Sequence, residues 1–167
     1  MALSILSFAV LGASLGFPQA AARYVTDFRH TNRSKIRSVL RITLLYIVSS
    51  TALVCVILLV LGPNLERTFD ADGLSTLLIV GVFYTIFHSL SSYPRRIFQS
   101  FGDIRLASTV TALTGIGNFV FILPLVYMGL DAFGALLGYT VTFLAVTVFG
   151  LWKLYTGYYR DLPSTPA

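Results

Sequence analysis

Four polar side chains lie in or beside long apolar segments of the sequence: His88, Arg95, Arg96 and Asn118. Arg95 and Arg96 follow Pro94 directly, and the planar guanidinium of arginine fits phosphate oxygens better than the ammonium of lysine does. A histidine can also relay protons near neutral pH. We therefore take these four residues as candidates for substrate binding. The alternatives are surface anchoring for the arginines and a structural place within the helices for His88 and Asn118.

The sequence contains few of the residue clusters that catalysis or metal binding requires. His30 and His88 are far apart in the sequence, and Glu66, Asp70 and Asp72 form one short acidic cluster without a second set of ligands. No glycine-rich phosphate-binding loop is present. We expect no enzyme activity, no metal and no cofactor.

The composition predicts a membrane protein. The chain has 167 residues, 56% hydrophobic and 11% charged, whereas soluble domains carry about 25% charged residues. A helix of about 20 apolar residues matches the thickness of a bilayer. We therefore predict an all-α integral membrane protein over 1–159, with a polar tail at 160–167. Five runs without Asp, Glu, Lys or Arg predict five transmembrane helices, at about 1–22, 42–62, 74–94, 106–130 and 132–152.

The basic residues predict the orientation of these helices. Eleven of the 12 Lys and Arg residues fall in 23–41, 95–105 and 153–160. Basic segments stay on the cytoplasmic side during insertion. We therefore expect these segments and the carboxyl terminus to be cytoplasmic in a multi-pass protein of the plasma membrane. The net charge of +5 then reflects topology, and no nucleic-acid partner is expected.

Within segment 23–41, arginines recur every four residues beside an apolar face, which predicts an amphipathic helix that continues into the second span. We expect this segment to bind membrane lipids. The anchoring residues would be Arg23, Arg33, Arg37 and Arg41.

Prolines and glycines interrupt the apolar runs. Pro63 is expected to end the second span, with 63–73 as an outer loop, and Pro94 is expected to turn the chain at Tyr93. Kinked helices that carry polar groups are typical of transporters. The small-residue patterns at 12–16 and 134–138 are expected to bring helices into close contact.

An odd number of spans with a cytoplasmic carboxyl terminus places Met1 outside the cell, with no charged segment to direct it there. The topology therefore predicts a further helix upstream of this segment, which would make six spans and return the amino terminus to the cytoplasm.

Three motifs resemble the polysaccharide-exporter, or O-antigen flippase-like, family, in the matching order. They are Leu-Gly-Phe-Pro-Gln-Ala-Ala-Ala-Arg-Tyr-Val at 15–25, Arg-Ser-Val-Leu-Arg at 37–41 and Arg-Ile-Phe-Gln-Ser-Phe-Gly-Asp at 96–103. The resemblance implies helices two to six of a twelve-to-fourteen-helix exporter, which flips lipid-linked oligosaccharide outward by alternating access. It also implies a missing second lobe, or a homo-oligomer in its place. Arg95 or Arg96 would then receive the pyrophosphate of the lipid.

Two other functions remain open at this point. A multidrug or organic-cation antiporter of the same superfamily usually needs a membrane carboxylate, and the five uncharged runs contain none. An inactive remnant or an accessory membrane protein also fits the short length.

Overall fold

The computed structural model describes residues 6–8, 10–11, 17–28, 33–69 and 74–160. Over these ranges the chain is helical except at the turn 101–103 and at Arg160, and it contains no strand. A π-helical turn, Val126–Leu130, follows α4, and another, Tyr155–Tyr159, follows α5. The predicted all-α fold is confirmed. The helices are α1 (Phe17–Phe28), α2 (Arg33–Phe69), α3 (Leu74–Ser100), α4 (Ile104–Leu125) and α5 (Asp131–Leu154).

Three stretches of the described chain are long and apolar enough to cross a membrane: Ile36–Arg67, Thr76–Ser100 and Ile104–Tyr158. The third contains both α4 and α5, and Gly129 (φ 83°) and Asp131 (φ 40°) interrupt the helical backbone between these two helices. Half of the predicted span 1–22 lies outside the described residues, as does the tail from 161 onward.

The segment with the repeated arginines forms the start of a long helix. Helix α2 runs without a break from Arg33 to Phe69. Ile36 and Leu40 are buried, whereas Arg41 is exposed. The predicted amphipathic helix that continues into an apolar span is therefore confirmed.

The prediction that Pro63 ends this helix is wrong. Pro63 lies inside α2, which continues for another turn and a half to Phe69. Proline removes one backbone hydrogen bond, at a cost of about 3 kcal/mol. That loss is confined to one position, and the residues after Pro63 remain helical as far as Phe69.

Helix α3 lies at the centre of the bundle and packs against the four other helices. It is antiparallel to α2, since Tyr93 is bonded to the Leu40 carbonyl, whereas Cys55, farther along α2, lies 3.8 Å from the carbonyl of Val82, earlier in α3. It is parallel to α5, since Thr147 Oγ1 donates to the Phe87 carbonyl at 3.1 Å and Gly150, farther along α5, lies against Pro94, farther along α3. These hydrogen bonds fix the depth of the neighbouring helices relative to α3.

Close contact between α4 and α5 depends on glycines of α5. A Cβ atom at Gly138 would lie 2.8 Å from Cα of Ile122, and one at Gly134 would lie 2.9 Å from the Leu125 carbonyl oxygen. The expectation that the pattern at 134–138 brings helices together is confirmed. The corresponding pattern at 12–16 falls outside the described residues.

Candidate functional site

The helix that carries three of the four candidate residues continues through its proline. Helix α3 runs past Pro94 to Ser100, so the predicted turn at Tyr93 is wrong. Pro94 is buried, and its Cγ would lie 2.6 Å from a Cβ atom at Gly150. The missing side chain of Gly150 therefore makes room on α5 for the proline ring.

Serines support the backbone just before this proline. Ser91 donates to the His88 carbonyl and Ser92 to the Ser89 carbonyl, each at 2.8 Å. The carbonyl that Pro94 leaves without its helical partner is a different one, that of Leu90, four residues before the proline. Helix α3 is nevertheless unbroken, and it holds His88 and Arg95 in a fixed register.

His88 and Arg95 lie on one face of α3, since seven residues make nearly two helical turns. The rise of about 1.5 Å per residue separates them by about 10 Å along the helix axis. Arg96 is turned by about 100° from Arg95, because neighbouring residues never share a helix face. Both arginines are half-buried. One face of α3 therefore combines an imidazole and a guanidinium, and a second guanidinium points elsewhere.

Aromatic rings hold His88 in place. Its ring centroid lies 4.5 Å from that of Phe143, with an interplanar angle of 63°, and 5.4 Å from that of Tyr84. Tyr139 continues the cluster, at 6.1 Å from Tyr84. The His88 Nδ1 atom is buried, and within the described ranges it has no hydrogen-bond partner. Such an atom is available to a ligand that can donate or accept a hydrogen bond.

Asn118 lies on α4 at the level of His88. Gly117 contacts Thr142, and His88 packs on the next residue of α5, Phe143. The Asn118 Oδ1 atom is buried, and no described group is hydrogen-bonded to it. Asn118 lines a groove of about 620 Å³ together with apolar residues of α4 and the turn that follows it. The structure thus brings His88 and Asn118 to one depth but keeps them on different helices.

Basic side chains gather at one end of the bundle. The Tyr93 hydroxyl donates to the Leu40 carbonyl at 2.9 Å, which ties the last part of α3 to the first part of α2. The Tyr158 hydroxyl donates to Asp103 at 2.8 Å and ties the end of α5 to the same region. Of the residues with described side chains, this basic end carries Arg23, Arg37, Arg41, Arg95, Arg96, Arg105, Lys153 and Arg160.

The four predicted anchoring residues differ in their exposure. Arg23 and Arg41 are exposed and Arg37 is half-buried, while the side chain of Arg33 lies outside the described part of the structure. Their anchoring role stays a prediction. Within the described residues, no three His, Cys, Asp or Glu side chains lie close enough together to hold a metal ion.

The aromatic residues around His88 were missed in the sequence. Tyr84 and His88 are four residues apart, as are Tyr139 and Phe143, and each pair therefore shares a helix face. This spacing is enough to predict from the sequence that the two residues of each pair lie together. The packing of the two pairs against each other depends on the register of α3 and α5, which the sequence does not contain.

The family model for polysaccharide biosynthesis proteins matches residues 1–166. The chain belongs to this family. The match confirms the resemblance to polysaccharide exporters. Searches of curated proteins and of solved structures returned no match. Together with the apolar helices, the family membership identifies a multi-pass membrane protein of polysaccharide biosynthesis.

Proposed function

We propose that this polysaccharide biosynthesis protein is part of a transporter that flips lipid-linked oligosaccharide across the plasma membrane by alternating access. The family match over residues 1–166 is the observation that carries the proposal. The proposed protein has five transmembrane helices in this segment, a cytoplasmic carboxyl terminus and no enzyme activity. Its partners are membrane lipids, the lipid-linked substrate, and a second lobe or a second copy of the chain.

The position of α3 supports a role in substrate binding. This helix lies at the centre of the described bundle, and its half-buried Arg95 and Arg96 lie at the basic end. A lipid-linked sugar enters from the cytoplasm with a pyrophosphate group, and a guanidinium can bind two of its oxygens at once. We assign phosphate binding to one of these two arginines.

His88 and Asn118 lie deeper in the bundle than the arginines. Their buried Nδ1 and Oδ1 atoms have no partner in the described chain, and sugar hydroxyls both donate and accept hydrogen bonds. We propose that these two side chains contact the saccharide after the phosphate has bound at the basic end.

The proposal is tested by changing Arg95 and Arg96 one at a time to Gln and to Lys, in cells whose surface polysaccharide depends on this protein. Export and membrane abundance are measured separately. We expect Gln at one of the two positions to lower export about tenfold at normal abundance, since a charge-assisted hydrogen bond is lost. Arg105→Gln, which removes an exposed charge at the same end, is the matched control and keeps export normal.

Two results count against the proposal. Full export in both Gln variants would show that Arg95 and Arg96 serve only as membrane anchors. Normal surface polysaccharide after deletion of the gene, without accumulation of the lipid-linked precursor, would remove the transport function itself.

A further inference from the structure

A narrow groove runs along α3 between α2 and α5, with a volume of about 300 Å³. The buried residues Tyr93, Leu40 and Leu154 form its base. Leu44 on α2 and Leu151 on α5 form its apolar sides. The Tyr93 hydroxyl is already bonded to the Leu40 carbonyl at 2.9 Å, so the base offers the tyrosine ring to an occupant. The interior of the groove therefore suits a hydrocarbon chain.

The groove changes from polar to apolar along its length. Arg41 is the charged residue among those that line it, and Arg41 is exposed. Along α2, Arg41 lies closer to the basic end than Leu44 does. The exposed Tyr155, in the turn directly after α5, lies closer to that end than Leu151 of α5 does. An occupant therefore meets a cation at the mouth and leucines farther in.

Neighbouring residues place the mouth of the groove at the level of a membrane surface. Trp152 and Tyr155 are 57% and 61% exposed. Lys153 Nζ lies 4.9 Å from the centroid of the Trp152 ring. Tryptophan and tyrosine collect where lipid headgroups meet the hydrocarbon core. The groove thus has a charged group at the membrane surface and apolar groups deeper in the membrane, as a phospholipid has its headgroup and its acyl chains.

We propose that this groove binds an anionic glycerophospholipid, with one acyl chain along Leu44 and Leu151 and the phosphate at Arg41. The positive charge at the mouth favours an anionic headgroup over a zwitterionic one. Anionic phospholipids supply the negative charge of the cytoplasmic leaflet surface, so they are the lipids that meet a basic groove mouth at that surface. This site is separate from Arg95, Arg96 and His88, and it does not depend on the proposed transport function.

The test uses the full chain in vesicles that contain lipids brominated on the acyl chain. The chain has one tryptophan, so Trp152→Phe combined with Tyr155→Trp places a single fluorophore at the groove mouth. Quenching by brominated phosphatidylglycerol is compared with quenching by brominated phosphatidylcholine at about 0.15 M salt. We expect the anionic lipid to bind about fivefold more tightly, which is the contribution of one basic residue near an anionic headgroup.

Further variants link this preference to Arg41. Arg41→Gln removes the preference, Arg41→Lys retains it, and Arg105→Gln leaves it unchanged because Arg105 lies outside the groove. Helix content measured by circular dichroism checks that each variant is folded. Equal quenching by the two lipids overturns the proposal, as does a preference that persists in a folded Arg41→Gln variant. A polyprenyl phosphate that displaces the brominated lipid better than phosphatidylglycerol also overturns it, since the occupant is then the carrier lipid.

Discussion

The hydroxyl of Tyr158 donates a hydrogen bond of 2.8 Å to Oδ2 of Asp103 and so joins the end of α5 to the turn before α4. The second carboxylate oxygen, Oδ1, accepts from the backbone N–H of Leu106 at 3.0 Å and caps α4. The Tyr158 ring also stacks on Phe101, with centroids 4.5 Å apart. One carboxylate therefore starts a helix and ties it to another helix at the basic end.

Removing the tyrosine hydroxyl tests the strength of this link. In Tyr158→Phe the ring still stacks on Phe101, but the hydrogen bond to Asp103 is lost. We expect the free energy of unfolding in detergent to fall by about 1 kcal/mol, the usual net value of one hydrogen bond. Tyr127→Phe is the control, since Tyr127 is 91% exposed. Equal stability of the two variants would show that the link contributes nothing.

The same carboxylate predicts a dependence of stability on pH. The Leu106 N–H, followed by the Tyr158 hydroxyl, holds the pKa of Asp103 below its ordinary value. The native protein therefore binds this proton more weakly than the unfolded chain does, and the carboxylate stabilises the fold at any pH above its ordinary pKa of about 3.9. That contribution disappears as the pH falls through the lowered pKa.

Thermal unfolding of the unchanged protein and of Asp103→Asn measures this effect. Asparagine can still cap α4, so the difference reports mainly on the charge. We expect the gap in melting temperature to be widest near neutral pH and to shrink below about pH 4. A gap of constant size from neutral pH down to pH 3 would contradict the assignment.

Much of the helical structure follows from the sequence, because uncharged runs of this length have few other solutions in a membrane. The run 106–130 lies within α4 and the π-helical turn after it, and 132–152 lies within α5. Proline positions misled the prediction at Pro63 and Pro94. A proline's local preference is overridden when the helix continues into packed surroundings, as Gly150 provides for Pro94.

The candidate site was only partly predictable. Residue types identified His88 and Arg95, and helical periodicity places them on one face. The aromatic cluster around His88 and the Tyr158 bond to Asp103 connect residues about 55 positions apart. Such contacts depend on how the helices rotate and slide against one another, and periodicity within one helix does not determine that.

Two glycines of the bundle predict opposite results for the same substitution. Gly138→Ala would place a Cβ atom 2.8 Å from Ile122, while nothing lies within 4 Å of a Cβ atom at Gly115. We expect Gly138→Ala to destabilise the protein by about 1–3 kcal/mol through overpacking. Gly115→Ala is the matched control and stabilises α4 by up to about 1 kcal/mol, because alanine is the better helix former. Unfolding in detergent measures both, and a neutral Gly138→Ala would contradict the close packing.

Chemical labelling tests the proposed orientation of the basic end. In a Cys55→Ser background, a single cysteine is introduced as Asn64→Cys or as Arg160→Cys, and both positions are exposed. An impermeant maleimide should label the first variant in intact cells and the second only after the membrane is permeabilised, because basic segments remain cytoplasmic. Labelling of both variants in intact cells would refute the topology.

The last prediction separates a structural from a substrate-binding role for His88. His88→Phe preserves an aromatic ring against Phe143, where the centroids lie 4.5 Å apart, but it lacks the nitrogen that has no partner among the described residues. We expect its stability to stay within about 1 kcal/mol of the unchanged protein, because removing a buried nitrogen without a described partner offsets the cost of fitting a larger ring. His88→Ala should lose about 2–4 kcal/mol of the free energy of unfolding, because it leaves a cavity beside the aromatic rings.

If Nδ1 contacts the saccharide, export falls in His88→Phe although the protein is stable and abundant. Full export by His88→Phe would leave His88 as a packing residue of the aromatic cluster.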